Sequence, residues 1–531
     1  MNRSNAGAFD RSITSGADFL QLSVEDAPVR GLSDWLAGQL RLAISDGRLP
    51  IGSRLPATRV LAGELRVSRG VVTEAYQRLI EDGHVAGRGR AGTVVVAPIP
   101  VTAALPTAAA TPIAAPPTDP TDATGPTDPT GPATADALFT APGADVFDAM
   151  RAIPARIDLS PGMPDLGAFP RTAWLRAERS VLGALSAADF GYGDPRGTPA
   201  LRLAVANWLA RNRGIRADPE DVIVVAGVAQ ALGLIAQVLR DGGITEMAVE
   251  DPGSLGARQH LRHWRLDTPP IPVDAEGIRV DELRAQGAPA VLLTPAHQFP
   301  TGVVLAGERR RDLMRWVRVG GLIVEDDYDA EHRYDRPPVP ALRSMLTEGI
   351  CYAGSVSKLL APALRLGWML APPKYRDALV EAKRFTDLGN AALPQLVLAR
   401  LMESGDLERQ LRFLRGRHRR RRDAMIAAIG AHLPGAVVHG AAAGLHVMVT
   451  FEAAGFASGG FASAGFASGR FTDADLAAEA LARGVKVQPL SWHGQRPGPP
   501  GLVLGYAANT PTVTAEGIAI LGDILRPRHR S

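Results

Sequence analysis

The sequence predicts a multidomain protein with a small N-terminal α+β domain, a linker and a large C-terminal α/β domain. The chain has 531 residues, which is too long for a single hydrophobic core. A stretch rich in Ala, Pro, Thr and Asp runs from about Ala97 to Ala137 and contains no aromatic residue. Beyond it, short apolar runs alternate with helical segments, a pattern that indicates a largely parallel sheet.

The composition shift places the N-terminal domain at residues 28–97, the linker at 98–150 and the C-terminal domain at 151–531. We expect the large part of the C-terminal domain at about 190–430 and a small part from its remaining ends. The prolines of the linker interrupt helices and sheet ladders, which predicts an extended, semi-stiff tether. A tandem repeat from Gly455 to Gly469, GFASG-GFASA-GFASG, predicts an inserted loop.

Composition and charge exclude several classes of protein. Hydrophobic residues make up 46% and charged residues 21%, which is typical of globular domains. The net charge of +3 is too small to indicate nucleic-acid binding by itself. Neither a signal peptide nor a membrane span is predicted, because no apolar run has the required length. The only cysteine, Cys351, lies in a predicted buried strand, and a cytoplasmic location is expected.

Three amphipathic helices and a hairpin are predicted before the linker. The segment LSDWLAGQLRLAISDG has helical apolar periodicity. TRVLAGEL and RVSRGVVTEAYQRLIEDG follow, with Thr58 and Ser68 as candidate helix caps and a tight turn between them. Two strand-like pieces around glycines, HVAGRGRAGTVVV, complete the order of a winged helix-turn-helix.

The charges of this domain are compatible with DNA. Between Gly31 and Val96 there are nine arginines, no lysine and six carboxylates. A helix that starts with Ser68 and Arg69 presents N–H groups and a guanidinium to phosphates, while Thr73 can face base edges. Arg88 and Arg90 in the hairpin can reach the DNA backbone or the minor groove. A small helical domain with solvated arginines would show the same generic pattern.

A resemblance to a known family favours the DNA-binding domain over a small helical domain with solvated arginines. GRLPIGSRLPATRVLAGELRVSRGVVTEAYQRLIEDGHVAGRGRAGTVV resembles the DNA-binding domain of GntR-type bacterial regulators over nearly its full length. It implies a double-stranded DNA operator as the partner. The DNA-contacting residues implied by it, together with those predicted from the helix and hairpin, are Arg54, Arg59, Ser68, Arg69, Thr73, Arg88 and Gly89.

Candidate binding residues follow three strands of the predicted sheet, at the edge where ligands of α/β sheets bind. A helix opens after DVIVVAG, two polar residues follow GLIVE on one side of the strand, and a cluster follows ICYAG. These residues are Gly227, Val228, Ala229, Asp326, Tyr328, Ser355, Ser357, Lys358 and Arg365. A molecule with a phosphate, a ring nitrogen, a phenolic oxygen and an aldehyde would engage all of them, which predicts pyridoxal 5′-phosphate.

Each residue has a separate predicted role. Lys358 is expected to form a Schiff base with the aldehyde, because burial activates a lysine amine. Asp326 would keep the pyridine nitrogen protonated, and Tyr328 would hydrogen-bond the ring hydroxyl. The serines after ICYAG, Arg365 and the helix start at Gly227 would hold the phosphate. We predict no metal ligands.

The C-terminal domain resembles fold-type I aminotransferases from about Asp158 to Leu525. The motifs DLSPGMPD, GYGDPRG, AGVAQAL, EDPGS, TPAHQFPTG, EDDYDAEHRY, GSVSKLLAPALRLGW and GLVLGYA occur in the expected order. Fusion to a GntR-type head resembles the MocR subfamily of regulators. This resemblance implies a domain that senses the cofactor or an amine effector and forms a head-to-tail homodimer, with Lys358 as the cofactor lysine and Asp326 as the pyridine partner.

Two departures from that family bear on function. Ser254 stands where the family usually places an aromatic side chain over the cofactor ring, which implies either a ring that is held less tightly or a ring covered by His297 or Phe299. Val503 stands where active aminotransferases commonly have an arginine that binds the substrate carboxylate. Without that arginine, substrate positioning is weakened.

Three other features have alternative interpretations. The run RGRHRRRRDAM, from Arg415 to Met425, could be an auxiliary DNA-binding surface. A solvated helical face near a dimer interface is the interpretation that we favour. Trp492 is expected to pack in a core, and His493 to pack or to line the ligand pocket.

The predicted function is a cofactor-responsive transcriptional regulator. One alternative is a working aminotransferase that carries a DNA-binding head. Another is a DNA-binding protein whose C-terminal domain is only a dimerisation scaffold.

Overall fold

The computed structural model describes residues 27, 32–45, 48–50, 52–81, 85–87, 92–96, 135–334, 339–451 and 472–526. The chain divides into two units, with the boundary between Pro132 and Ala133. The predicted DNA-contacting residues Arg88 and Gly89, and the tandem repeat at 455–469, lie outside the described residues.

The described residues of the N-terminal unit form three helices and one β-hairpin, in the order that the sequence predicts. They are α1 (Leu32–Ser45), α2 (Thr58–Glu64), α3 (Arg69–Glu81), β1 (Val85–Gly87) and β2 (Thr93–Val95). The two strands pair antiparallel, with Val85 opposite Val95. One apolar face of each helix is buried, as Leu40 of α1 and Leu79 of α3 illustrate. This is the winged helix-turn-helix arrangement.

Of the two predicted helix caps, Ser68 is confirmed and Thr58 is wrong. The Ser68 hydroxyl accepts a hydrogen bond from the Val71 amide at 3.4 Å, at the start of α3. Thr58 is not a cap, because it is the first residue of α2 and follows Ala57, which makes no side-chain cap. The extended backbone of Ala57 places the helix start one residue earlier than the hydroxyl position suggests.

The linker ends earlier than residue 150. Two helices, α4 (Ala135–Thr140) and α5 (Val146–Ala152), belong to the C-terminal unit. Phe139 is buried there and its ring stacks on that of Trp492 at a centroid distance of 5.4 Å. The linker boundary predicted at residue 150 was therefore too late. The tether-like composition ends near Ala137, and the apolar residues that follow it pack in the C-terminal unit.

An eight-stranded sheet forms the large part of the C-terminal unit. Its strand order is β4-β11-β10-β9-β8-β5-β6-β7. The strands are β4 (Val222–Val225), β5 (Ala248–Asp251), β6 (Pro270–Asp274), β7 (Gly277–Ile278), β8 (Ala290–Leu293), β9 (Leu322–Asp327), β10 (Ile350–Ser355) and β11 (Gly367–Leu370). The pairs from β10 to β6 are parallel, and β11 is antiparallel to both of its neighbours. The predicted largely parallel sheet is confirmed.

Helices cover both faces of this sheet. Along β4, Val222 and Val224 pack in one apolar cluster, whereas Ile223 and Val225 pack in another. Because alternate residues of a strand point to opposite faces, a strand that is buried on both sides reads as a continuous apolar run. The helices are α6 (Arg171–Leu182), α7 (Pro199–Arg213), α8 (Val228–Asp241), α9 (Leu255–His263), α10 (Val280–Gln286), α11 (Gly307–Arg318), α12 (Pro373–Asp387), α13 (Ala392–Glu403) and α14 (Asp406–His432).

The small part combines segments from both ends of this unit. A four-stranded antiparallel sheet has the order β12-β13-β16-β15, and β14 pairs with β3 in parallel. These elements are β3 (Ile157–Asp158), β12 (Ala436–His439), β13 (His446–Phe451), β14 (Val485–Lys486), β15 (Gln488–Pro489), β16 (Gly501–Gly505), α15 (Asp473–Ala482) and α16 (Pro511–Leu525). In the described part of the chain, no helix has the length and apolarity needed to cross a membrane.

Candidate functional site

The nine predicted cofactor-binding residues all line one cavity of about 340 Å³. They follow the carboxyl ends of β4, β9 and β10. Parallel pairing of β9 with β10 places Asp326 opposite Ala353, two residues before Ser355. The helix that begins after β4 completes the same edge. Three segments that are far apart in sequence therefore meet at one place.

Lys358 projects into this cavity from the turn after β10. Its amine donates a hydrogen bond to the carbonyl oxygen of Gly162. Burial lowers the pKa of Lys358, and the nearby carboxyl groups of Asp329 and Asp326 oppose that shift. The amine therefore loses its proton more readily than that of an exposed lysine, and the unprotonated amine is the nucleophilic form.

Asp326 supplies a buried carboxyl group whose Oδ1 has no hydrogen-bond partner. Burial raises the pKa of Asp326 to about 7, and the neighbouring Asp327 and Asp329 add to the shift. An unpartnered buried carboxylate oxygen is costly unless a donor pairs with it. A protonated ring nitrogen would be such a donor, so this residue fits the pyridine ring of pyridoxal 5′-phosphate.

Tyr328 lines the cavity and is hydrogen-bonded to residues behind it. Its hydroxyl donates to the carbonyl oxygen of His297 at 3.0 Å, and Nδ1 of His297 lies 3.0 Å from the same hydroxyl and 3.0 Å from Asp329 Oδ2. Burial raises the pKa of Tyr328 well above its ordinary value, so the side chain stays a neutral phenol. The hydroxyl is thereby held in a fixed position at the cavity.

Three buried groups near this tyrosine have the spacing of metal ligands. Atoms of His297, Asp329 and His446 lie within 4.8 Å of one another. Nδ1 of His297 is engaged with Asp329 and Tyr328, and Nε2 of His446 lies 3.2 Å from the Pro300 carbonyl. The groups are thus already hydrogen-bonded within the protein.

The opposite end of the cavity is suited to a phosphate. Gly227 has a φ of +84° and precedes α8, whose first N–H groups have no partner within the helix. Arg365 lies beside it and donates a hydrogen bond to the Ala226 carbonyl. A Cβ on Gly227 would lie 3.4 Å from the guanidinium of Arg365, so glycine permits this close approach. Ser355 accepts a hydrogen bond from the Ser357 amide at 3.3 Å.

The departures predicted from the sequence have clear structural counterparts. Ser254 lines the cavity and its hydroxyl caps α9, accepting from the Ala257 amide at 3.2 Å. Phe299 also lines the cavity, whereas His297 lies behind Tyr328. Val503 is buried beneath Phe299 in a small apolar cluster.

Several cavity residues were missed in the sequence analysis. They are Gly162, Thr294, Pro362, Leu445 and His446. The motifs DLSPGMPD and TPAHQFPTG contain the first two and were a usable signal. Leu445 and His446 had none, because they start a strand of the small part and reach the cavity only through tertiary packing.

The basic run at 415–425 is only partly a solvated face, because Arg419 and Arg420 are exposed and other arginines of the run are buried. It lies within α14, where Arg417 and Arg421 are buried and pair with Asp165 at 2.8 and 3.0 Å. Arg415 donates to the Glu331 carbonyl at 2.6 Å, and Arg422 donates to the Ala441 carbonyl at 2.8 Å. The sequence does not show which arginines are buried, because helical periodicity places inward-facing and outward-facing residues next to one another in the same run.

The two residues after KVQPLS are both buried. Trp492 packs against Phe139, as predicted, and its indole N–H donates to the Phe139 carbonyl at 2.9 Å. His493 packs edge-on against Phe299, with ring centroids 5.0 Å apart. It therefore supports the cavity wall and is not among the residues that line the cavity.

The described DNA-contacting candidates lie on the surface of the N-terminal unit. Arg54, Arg59, Ser68, Arg69 and Thr73 are all exposed. Arg69 and Thr73 are four residues apart on α3, so they share one helix face. Arg54 forms a β-bridge with Val94 and stands beside Gly92.

The fold and these two sites define a two-part class of protein, a helix-turn-helix DNA-binding unit joined to a fold-type I α/β unit with a lysine-bearing cavity. Residues 32–95 match the family described as "Bacterial regulatory proteins, gntR family". Residues 155–503 match the family described as "Aminotransferase class I and II".

The chain is similar to known regulators over most of its length. It is 31% identical over 492 residues to the probable rhizopine catabolism regulatory protein MocR of Rhizobium meliloti, covering 90% of this chain and 91% of the relative. It is 27% identical over 419 residues to the HTH-type pyridoxine biosynthesis transcriptional regulator PdxR of Corynebacterium glutamicum, covering 78% and 82%. The chain therefore belongs to the MocR-type regulators, in which a GntR-type DNA-binding domain is fused to an aminotransferase class I and II domain.

A solved structure gives the same result for the larger unit. A multiple substrate aminotransferase from Thermococcus profundus superposes with a TM-score of 0.63 at 26% identity, covering 72% of this chain and 94% of that chain. The predicted fold-type I architecture and the predicted family are confirmed.

Proposed function

We propose that the C-terminal unit binds pyridoxal 5′-phosphate at Lys358 and that cofactor or amine binding there controls the affinity of the N-terminal unit for a double-stranded DNA operator. One observation carries the proposal. A single cavity brings together a buried lysine amine, an unpartnered carboxylate oxygen of Asp326, and a helix start flanked by Arg365. Those three groups complement an aldehyde, a ring nitrogen and a phosphate.

The residues of the cavity would act in distinct ways. Lys358 would hold the cofactor through its amine, whose pKa burial lowers. Asp326 would accept a hydrogen bond from the ring nitrogen, and Tyr328 would orient the ring through its fixed hydroxyl. Pyridoxal 5′-phosphate would supply an aldehyde that condenses with primary amines and an electron-withdrawing ring.

The N-terminal unit would bind the operator through α3 and its surroundings. The exposed side chains of Arg69 and Thr73 would face the major groove, and Ser68 and the start of α3 would contact phosphate. Arg54 and Arg59 would add phosphate contacts, as would Arg88 and Gly89 if the wing is used. Phosphate contacts of this kind make affinity depend steeply on salt.

A homodimer would bring two such units to two half-sites. An exposed apolar patch supports this, formed by Phe190, Tyr192, Phe385 and Leu388. The segment that holds Phe190 and Tyr192 and the segment that holds Phe385 and Leu388 meet where Gly389 approaches Pro195. A Cβ added to Gly389 would lie 3.2 Å from the Cα atom of Pro195. Large exposed apolar side chains in one place are typical of association surfaces. We propose the head-to-tail dimer of the aminotransferase fold.

The test compares Lys358→Ala with Lys374→Ala. Lys374 is an exposed lysine at the start of α12 and serves as the matched control. Affinity of the full-length protein for its own upstream intergenic DNA is measured at fixed salt, with and without pyridoxal 5′-phosphate. Reductive trapping shows which of the four lysines in the chain carries the cofactor.

We expect trapping at Lys358, and a cofactor-dependent change in DNA affinity that Lys358→Ala removes and Lys374→Ala retains. Unchanged cofactor binding in Lys358→Ala would refute the proposed site. Specific DNA binding that ignores the cofactor would refute its regulatory role. Complete turnover with an amino donor and a keto acid, without any DNA binding, would favour the aminotransferase.

A further inference from the structure

The cavity next to Lys358 has little positive charge to offer a second ligand. Of the described residues that line it, Lys358 and Arg365 carry the cationic side chains. Lys358 is assigned to the cofactor aldehyde, and Arg365 is held at the phosphate end by its hydrogen bond to the Ala226 carbonyl. Beyond these two groups, a ligand carboxylate would find no further guanidinium or ammonium among the described lining residues.

The wall away from the phosphate end is apolar. Phe299 and Leu445 line it, and Phe299 packs against a buried cluster of Met448, Leu490 and Val503. Val503 pairs with Met448 in the antiparallel ladder of β13 and β16, which fixes its side chain in that cluster. The position at which an arginine was expected by resemblance is therefore filled by packed apolar atoms.

The polar side chains of the wall already have partners. The Ser254 hydroxyl caps α9, and the Thr294 hydroxyl donates to Glu250 at 2.7 Å while accepting from the Phe299 amide at 3.0 Å. His446 has a pKa lowered to about 3 by burial, so its imidazole is neutral near pH 7. These groups would not neutralise a carboxylate.

The surrounding carboxyl groups oppose any further negative charge. Burial raises the pKa of Glu250 to about 7, and Asp326, whose pKa is raised similarly, lies within range of its charge. A carboxylate brought into this space would lose its hydration and gain carboxyl neighbours. Burial of an unpaired charge is strongly unfavourable in such surroundings. The ammonium or amine end of a ligand would meet no such repulsion.

We propose that the effector accepted beside Lys358 is a primary amine with an apolar body and without a carboxylate, of the alkyl or arylalkyl monoamine class. The inference rests on the proposed function, because it concerns the same cavity. The wall defines the ligand class: Phe299, Leu445 and the cluster behind them favour apolar surface. Among the described lining residues, no cation other than Lys358 and Arg365 is present to pair with an acid.

The experiment uses matched pairs of ligands that differ by one carboxylate. Full-length protein loaded with pyridoxal 5′-phosphate is titrated with phenethylamine against phenylalanine, and with propylamine against 4-aminobutyrate. The readouts are the visible absorbance of the bound cofactor and the affinity for the upstream DNA. We expect each amine to act at a concentration about 100-fold lower than its acid partner, which corresponds to about 2.7 kcal/mol.

The outcomes separate this inference from the proposed function. Equal or stronger binding of the acids, or no response to either class by protein that carries the cofactor, would overturn the inference alone. Absence of any absorbance that depends on Lys358 would overturn the proposed function, and the inference with it.

A pair of variants at Val503 gives a second test. Val503→Arg would place a guanidinium beneath Phe299 and is expected to reduce the amine preference at least about tenfold. Val503→Met lengthens the side chain without charge and should keep the preference. An unchanged preference in a folded Val503→Arg protein would overturn the inference. If that variant does not melt cooperatively, the ligand pairs on the native protein still decide.

Discussion

The side-chain amine of Lys358 donates a hydrogen bond to the carbonyl oxygen of Gly162, which lies 196 residues earlier in the chain. Gly162 has a φ of +80°, and a Cβ added to it would lie 3.2 Å from the lysine Nζ. The bond therefore connects the turn after β10 to a segment near the small part of the unit. Both the left-handed backbone conformation and the short distance to the lysine amine favour glycine at position 162.

Gly162→Ala is expected to lower cofactor affinity about tenfold, because the new methyl group displaces the Lys358 amine. Gly243→Ala is the matched control: Gly243 also has a φ of +80°, but nothing lies within 4 Å of an added Cβ. Both variants should lose about 1 kcal/mol of unfolding free energy from backbone strain. Cofactor titration and thermal melting measure the two effects. Equal cofactor affinities in the two variants would contradict the prediction.

Asp326→Asn should change the pH dependence of stability in the cofactor-free protein. The pKa of Asp326 rises on folding from 3.8 to about 7, mainly through burial. The stability contributed by this group is thus present below its unfolded pKa and is lost as pH rises through about 7. Asparagine does not ionise, so the variant should gain at least about 2 °C in Tm relative to wild type between about pH 5 and about pH 8. A Tm difference that is independent of pH would refute this.

Arg69→Ala is expected to weaken binding to upstream DNA at least about tenfold and to reduce the salt slope by about 1, because one phosphate or base contact is lost. Arg78→Ala removes the same charge from the same helix, but Arg78 pairs with Glu74 at 3.1 Å and is mostly buried. It should change the salt slope by less. Binding isotherms at several salt concentrations make the comparison, and equal effects of the two variants would argue against α3 as the DNA-reading helix.

Phe385→Glu is expected to shift the protein from dimer toward monomer, because it places a charge in the exposed apolar patch. Val319→Glu is the control, since Val319 is 83% exposed, Phe385 is 80% exposed, and Val319 lies at the end of α11 outside the patch. Sedimentation velocity over a range of concentrations separates the two. An oligomeric state that is unchanged in both variants would show that the patch is not the interface.

Local sequence was sufficient to predict most of the cofactor cavity. Lys358 follows β10 within three residues and Asp326 lies within β9, so strand ends and short motifs located them directly. The helix-turn-helix was equally local, because its three helices have clear apolar periodicity and Ser68 marks a helix start. In each case the information lies within a few residues of the feature that it predicts.

Other features depended on contacts between distant segments. Phe139 stacks on Trp492 before the predicted end of the linker, and the pairing of Arg417 with Asp165 buries one part of a basic run. Leu445 and Val503, which shape the apolar wall beside Lys358 directly or from behind Phe299, come from strands of the small part. The sequence by itself determined the two-part architecture and which residues meet at the strand ends of the Lys358 cavity. Only the tertiary structure decided which side chains close the other end, because burial and charge neutralisation there are properties of segments brought together by folding.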